Sequence, residues 1–120
     1  MKNIGIDIVE NKRFTTFIDN PRKYSRILSA KEKDLFRKII NKSRQLEYLA
    51  GRFAAKEAVI KALSGSGYTF GFTAVSVLND ADGSPYIEFK DKVCFKIKLS
   101  LSHAKENTIA VAVLLDGDGI

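Results

Sequence analysis

Two carboxylates stand where a carboxylate is costly. Asp7 lies inside the alternating run Ile4-Gly5-Ile6-Asp7-Ile8-Val9, a period-two pattern that predicts a strand, on the face it shares with Gly5 and Val9. Aspartate is disfavoured in strand interiors, and Gly5 leaves open space on that face. Glu57 lies in a long amphipathic segment. At 100° per residue from Leu46, the apolar Leu49, Ala50, Phe53 and Ile60 fall within about 60° of it, and Glu57 at about 20°. An ionised carboxylate facing a core must be paired, hydrogen-bonded or metal-bound. An ion pair with Lys61 at i+4, or with Arg52 or Lys56, would satisfy Glu57. A backbone or capping hydrogen bond would satisfy Asp7. The other solution is shared: if the N-terminal strand packs on the longest helix, both acids converge on one hard divalent cation. Magnesium favours that donor set, one or two carboxylates with waters and phosphate oxygens. Arg52, Lys56 and Lys61 add positive charge nearby, and Gly65 and Gly67 after the helix let a ligand approach backbone. The composite describes a phosphate-handling metal site, not a zinc site.

The remaining chemistry-bearing residues are few. His103 ends a strand whose inward face is Ile97, Leu99 and Leu101, and alternation puts it on that apolar face, where a structural or a catalytic role fits. One histidine and one cysteine, Cys94, exclude an internal disulfide, a His-rich or Cys-based zinc site and a Cys–His nucleophile pair within one chain. Asp80-Ala81-Asp82-Gly83 carries the residue types of a calcium loop. Its glycine comes two positions early and the distal glutamate register fails, so it reads as a turn.

The elements that must position these residues follow from local signals. Asp19-Asn20-Pro21 is a break, because the residue before proline is pushed out of helical geometry. Ser29 and Glu32 form a capping box ahead of Leu35, Phe36, Ile39 and Ile40 at helical spacing. Ser43 is the expected N-cap of a helix running to about Leu63 and closed by Ser64-Gly65-Ser66-Gly67. Strands are expected at 72–78 and 86–89, with 94–102 and 108–115 pairing as a hairpin around Ala104–Asn107. One strand, then helices, then several strands predicts a single α+β domain over residues 1–120.

The 120 residues hold 20 Lys or Arg against 14 Asp or Glu, a net charge of +6. The excess is local: residues 12–44 contain eleven bases and three acids, a net +8, and the rest carries −2. Such a segment attracts an anionic partner at long range. The longest apolar run, Ile109 to Leu115, is far short of a membrane span, and no secretory signal is visible, so a soluble, cytosolic protein is expected. A small basic nucleic-acid-binding module is the alternative that the charge allows. It lacks interleaved stacking aromatics, since Phe14, Phe17, Tyr24 and Phe36 are better placed for a core, and it gives no reason for Asp7 or Glu57.

Three blocks carry a resemblance: Gly5-Ile6-Asp7-Ile8-Val9-Glu10; Gly51-Arg52-Phe53-Ala54-Ala55-Lys56-Glu57-Ala58 with Lys61-Ala62-Leu63; and Ser100-Leu101-Ser102-His103. In order and spacing they resemble the bacterial holo-acyl-carrier-protein synthases, the small group of 4′-phosphopantetheinyl transferases. The middle block is the specific one; Ser64 and Ala104 depart from the family's usual residues. The resemblance implies the fold of that family and transfer of the 4′-phosphopantetheine arm of coenzyme A to a serine of an apo acyl carrier protein. Adenosine 3′,5′-bisphosphate is released. It implies that Asp7 and Glu57 ligate magnesium, that Lys61 offsets charge on the leaving phosphate, and that Glu57, directly or through a bound water, takes the serine proton. Arg52, Lys56, Gly65 and His103 are expected at the coenzyme. A homotrimer with sites between subunits is implied too. Acyl carrier proteins are acidic, so Arg13, Arg22, Lys23 and Arg26 are the expected docking residues, with no nucleic-acid or membrane partner.

Overall fold

A computed structural model describes residues 1–115; the last five residues of the expected domain lie outside the described ones. Strand β1 (Asn3–Glu10) leads into a 3-10 turn, Asn11–Phe14. Helices α1 (Pro21–Tyr24), α2 (Ala30–Arg37) and α3 (Lys42–Ala62) follow. The second half holds β2 (Val75–Asn79), β3 (Pro85–Phe89), β4 (Lys96–His103) and β5 (Asn107–Leu115). One antiparallel sheet has the order β1-β5-β4, and β2 and β3 form a separate two-stranded ladder. This is the expected α+β arrangement. The break expected at Asp19-Asn20-Pro21 is the start of α1, whose N-cap Asn20 accepts through its side chain from the backbone N–H of Arg22 and Lys23. The capping box is present as well, with Ser29 and Glu32 bonded reciprocally.

Several boundaries differ. The N-cap of α3 is Asn41, which accepts from the Arg44 N–H at 3.0 Å, so Ser43 lies inside the helix. Residues 72–74 form a 3-10 turn before β2. Helix α2 ends at Arg37, leaving Ile40 exposed and Phe36 alone of the four expected apolar residues in the core. Phe14 and Tyr24 are in the core too, and Phe17 packs half-buried against it, so none of these rings is free to stack on a base.

The larger correction concerns α3. The apolar stripe read from the wheel coincides with the buried face only at Leu49 and Ala50. Ile60 is exposed, Phe53 and Glu57 are half-buried, and the deepest positions are Leu49, Ala50, Ala54, Ala55, Ala58, Val59 and Ala62. The reason is the closeness of the sheet. Gly5 of β1 lies against Ala58 and Ala62, where a Cβ on residue 5 would collide with the Ala58 carbonyl and the Ala62 nitrogen. Only small side chains tolerate that approach, so alanines carry the interface and the bulkier residues are displaced to its margin. The margin contains Phe53, Glu57, Ile60 and Lys61, one open seam at helical spacing. Val9 and Gly5 are buried on the helix side of β1, while Ile4, Ile6 and Ile8 are 51%, 58% and 60% exposed on the other.

Candidate active site

Alternation along β1 aims Asp7 at α3, two residues beyond the Gly5 contact, and its side chain is only 15% exposed. The Lys61 ammonium donates to the Ile6 carbonyl at 2.8 Å and reaches Asp7 Oδ1 at 3.4 Å. Asp7 Oδ2 is buried with no hydrogen-bond partner among the described residues. Leaving a buried carboxylate oxygen unsatisfied carries a desolvation cost of a few kcal/mol, so its orphan state marks a place for a ligand. Glu57 lies one helical turn before Lys61, half-buried, and makes no hydrogen bond or ion pair among the described residues.

None of the three cations that could have neutralised Glu57 does so. Lys61 is turned to β1. Arg52 donates from Nε to the Val77 carbonyl at 3.1 Å and from Nη2 to Asn79 Oδ1 at 2.8 Å, with its guanidinium 4.3 Å from the centre of the Tyr48 ring. Lys56 is fully buried, and its ammonium donates to Glu32 Oε1 at 2.6 Å, the Ile27 carbonyl at 2.7 Å and the Phe72 carbonyl at 2.8 Å. An ammonium has three hydrogens, and all three are used. Lys56 therefore does not meet the expectation of a coenzyme contact. It ties α3 to the ends of two loops, and Glu32 completes the anchor by accepting from the Ser29 and Val77 N–H groups. The sequence shows Glu32 only as a capping residue, because a cap and a buried counter-ion have the same local signature.

The other expected coenzyme residues lie at two cavities. Arg52 and His103 line one of about 370 Å³ with Arg44, Glu47 and Tyr48. Burial pushes the Arg52 guanidinium below its ordinary value, lifts the Tyr48 hydroxyl to about 12, and lowers His103 below 6.5. Arg44 is a cavity residue that sequence reasoning left inside the general basic count. Gly65, at φ +84°, sits in the loop after α3 and lines a cavity of about 730 Å³ with Ile60, Leu63 and Phe70. Glu57 and Lys61 follow Arg52 along α3, and Asp7 meets Lys61 from β1.

The expected docking residues occupy the first 3-10 turn and the α1 region. Arg13, Arg22 and Arg26 are exposed; Arg13 lies 4.6 Å over the Phe53 ring, beside the seam. Lys23 is half-buried, its ammonium donating to Thr16 Oγ1 at 3.2 Å.

Two hard oxygen donors, one of them orphaned and buried, are of the chemical type that suits magnesium.

Comparison with known proteins gives the family. The family model of the 4′-phosphopantetheinyl transferase superfamily matches residues 3–114. The holo-[acyl-carrier-protein] synthase of Staphylococcus saprophyticus is 38% identical over 113 residues, covering 92% of this chain and 95% of the relative. That of Geobacillus sp. is 40% identical over 113 residues, covering 92% and 93%. The crystal structure of the Bacillus anthracis holo-(acyl-carrier-protein) synthase, in complex with CoA (3′,5′-ADP), superposes with a TM-score of 0.82 at 37% identity, covering 94% of this chain and 95% of that one. The chain belongs to the 4′-phosphopantetheinyl transferase superfamily, among its holo-[acyl-carrier-protein] synthases.

Proposed function

We propose that this chain transfers 4′-phosphopantetheine from coenzyme A to a serine hydroxyl of apo acyl carrier protein, with Asp7 and Glu57 holding a magnesium ion. The observation that carries the site is the pair of unused carboxylates beside Lys61, above all the buried Asp7 Oδ2 without a partner. Bound there, magnesium would neutralise the diphosphate and orient its β-phosphorus for in-line attack. The bond formed joins the serine oxygen to that phosphorus; the bond broken joins the same phosphorus to the bridging oxygen, which leaves with adenosine 3′,5′-bisphosphate. Lys61, whose ammonium is steadied by the Ile6 carbonyl while the side chain stays 54% exposed, offsets the charge that develops on the leaving group. Glu57, without a partner among the described residues, takes the serine proton directly or through a water. Arg52 and His103, with Arg44, offer the coenzyme an anion-binding cavity, and Gly65 offers it bare backbone.

Arg13, Arg22, Lys23 and Arg26 steer the acidic carrier to the seam, an effect on encounter rate and salt dependence more than on affinity. A homotrimer is supported by the outer face of the β1-β5-β4 sheet. There Ile4, Ile6 and Ile8 pair across the ladder with Val113, Val111 and Ile109, an exposed apolar patch of the kind that copies of one chain bury. A cytoplasmic setting in fatty-acid biosynthesis follows from the same reading. The test is direct: incubate the chain with apo acyl carrier protein, coenzyme A and magnesium, and weigh the carrier. The expected result is a gain of one phosphopantetheine, abolished by chelation. No mass gain, where a known transferase works, would overturn the proposal.

A further inference from the structure

The β4–β5 hairpin holds a polar relay that the reaction as described does not use. Thr108 pairs with His103 across the ladder, next to the turn, and is completely buried. Its hydroxyl lies 2.7 Å from Asn11 Oδ1 and 2.9 Å from His103 Nδ1. Asn11, itself buried, is fixed in orientation: its Nδ2 faces the carbonyls of Ala104 and Lys105 at 3.4 and 3.5 Å, and its backbone N–H donates to the Glu106 carbonyl at 2.8 Å. Only an oxygen can therefore face Thr108, and an amide oxygen only accepts. The single hydroxyl hydrogen goes to Asn11, so the Thr108 oxygen can only accept from His103, and Nδ1 must carry a proton.

The consequence falls on the other ring nitrogen. A neutral imidazole has one N–H, so Nε2 is left with a bare lone pair, and it has no hydrogen-bond partner among the described residues. The ring packs against Gly51, where an added Cβ would come within 3.3 Å of Cε1 and 3.6 Å of Nε2. The charged and titratable groups around it are Arg44, Glu47, Tyr48 and Arg52, all lining the same cavity. Burial and Arg52 disfavour the imidazolium, and Glu47 alone favours it. A phosphate group there reverses that balance.

We propose that Thr108 and Asn11 are positioning residues for His103. Their hydroxyl and amide hold the ring as the Nδ1–H tautomer, so that Nε2 takes a proton from solvent when a phosphate group of coenzyme A enters the cavity and then donates to it. The role of the cavity rests on the transferase reading; the tautomer does not. Because His103 is the chain's single histidine, nitrogen-15 NMR of its ring is unambiguous. In the free, full-length protein above pH 7, Nδ1 is expected protonated and Nε2 bare. Adding coenzyme A without carrier should protonate Nε2 and draw a proton from buffer, visible as calorimetric heats that differ between two buffers. Asn11→Ala leaves the Thr108 oxygen in place but frees its hydrogen to point at Nδ1. It should shift the ring toward Nε2–H and raise the KM for coenzyme A about tenfold, with kcat nearly unchanged. Thr108→Val should do the same and Thr108→Ser should rescue, which separates the relay from simple loss of packing. A free protein already in the Nε2–H form, or an Asn11→Ala variant with unchanged tautomer and KM, overturns the proposal. Coenzyme A that binds without protonating Nε2 overturns its second half. No binding of coenzyme A at all, with the Nδ1–H tautomer intact, overturns the transferase reading and leaves the relay standing.

Discussion

Helix α3 carries two lysines five residues apart, each beside a carboxylate, and their surroundings are opposite. Lys56 and Glu32 are fully buried, 2.6 Å apart, with every ammonium hydrogen placed and each carboxylate oxygen accepting a backbone N–H. Lys61 and Asp7 meet at 3.4 Å at an open seam, with one Asp7 oxygen orphaned and Glu57 unpartnered a turn away. A buried charge that has used all its bonds has nothing left to offer a ligand and can only hold the fold. A charge with unused bonding capacity costs stability and makes sense when a substrate completes it. Adjacent residues of one motif, Lys56 and Glu57, thus fall into different classes.

That contrast breaks most visibly through the acids of the seam. Glu57→Gln and Asp7→Asn should each lower turnover on the order of a thousandfold, as loss of a metal-holding or proton-accepting group does. The melting temperature should hold or rise for Glu57→Gln, which loses no native bond, and change little for Asp7→Asn, which gives up only the long, half-exposed pair with Lys61. Turnover assays on carrier mass, paired with thermal melts, read both. In the saturated pair the signs exchange. Glu32→Gln or Lys56→Met should cost about 3–5 kcal/mol of stability by urea unfolding, because each strands a buried charge or donor. The double variant Glu32→Leu with Lys56→Met should recover much of that loss. A destabilised Glu57→Gln or a neutral Glu32→Gln would erase the distinction.

Smaller effects sharpen it. Charge reversal at Arg22 and Arg26 together should raise the KM for carrier several-fold at low salt and flatten its salt dependence, with coenzyme A affinity unchanged. The smallest expected effect is on acid stability. Burial lowers the folded pKa of His103 below the unfolded 6.5, so the unfolded chain binds the proton more readily. The neutral form's contribution is complete above about pH 6.5 and is lost as pH falls through the folded value, a shallow decline that His103→Gln should remove.

The same contrast explains what the sequence could show. Asp7 and Glu57 stood out because a carboxylate on an apolar pattern is anomalous whatever the partner. The break before Pro21, the Ser29–Glu32 box and the Ala104–Asn107 turn were legible because proline, capping and turn chemistry act within a few residues. The buried face of α3 was not, because it is set by how closely β1 approaches at Gly5, and alanine carries too little hydropathy to announce that contact. Lys56 was misplaced for a related reason: its partners Ile27, Glu32 and Phe72 are 16 to 29 residues away, and the sign of a buried pair is invisible until they meet. Asn11 and Thr108 are separated by 97 residues and each looks ordinary alone.

The central claim is that the unused oxygens of Asp7 and Glu57 belong to a cation. Calorimetric titration of magnesium into the protein saturated with coenzyme A tests it without turnover. The account predicts stoichiometric binding by the natural chain, and its loss in Asp7→Asn and Glu57→Gln variants that melt as the natural chain does. Equal magnesium affinity in all three proteins would contradict it.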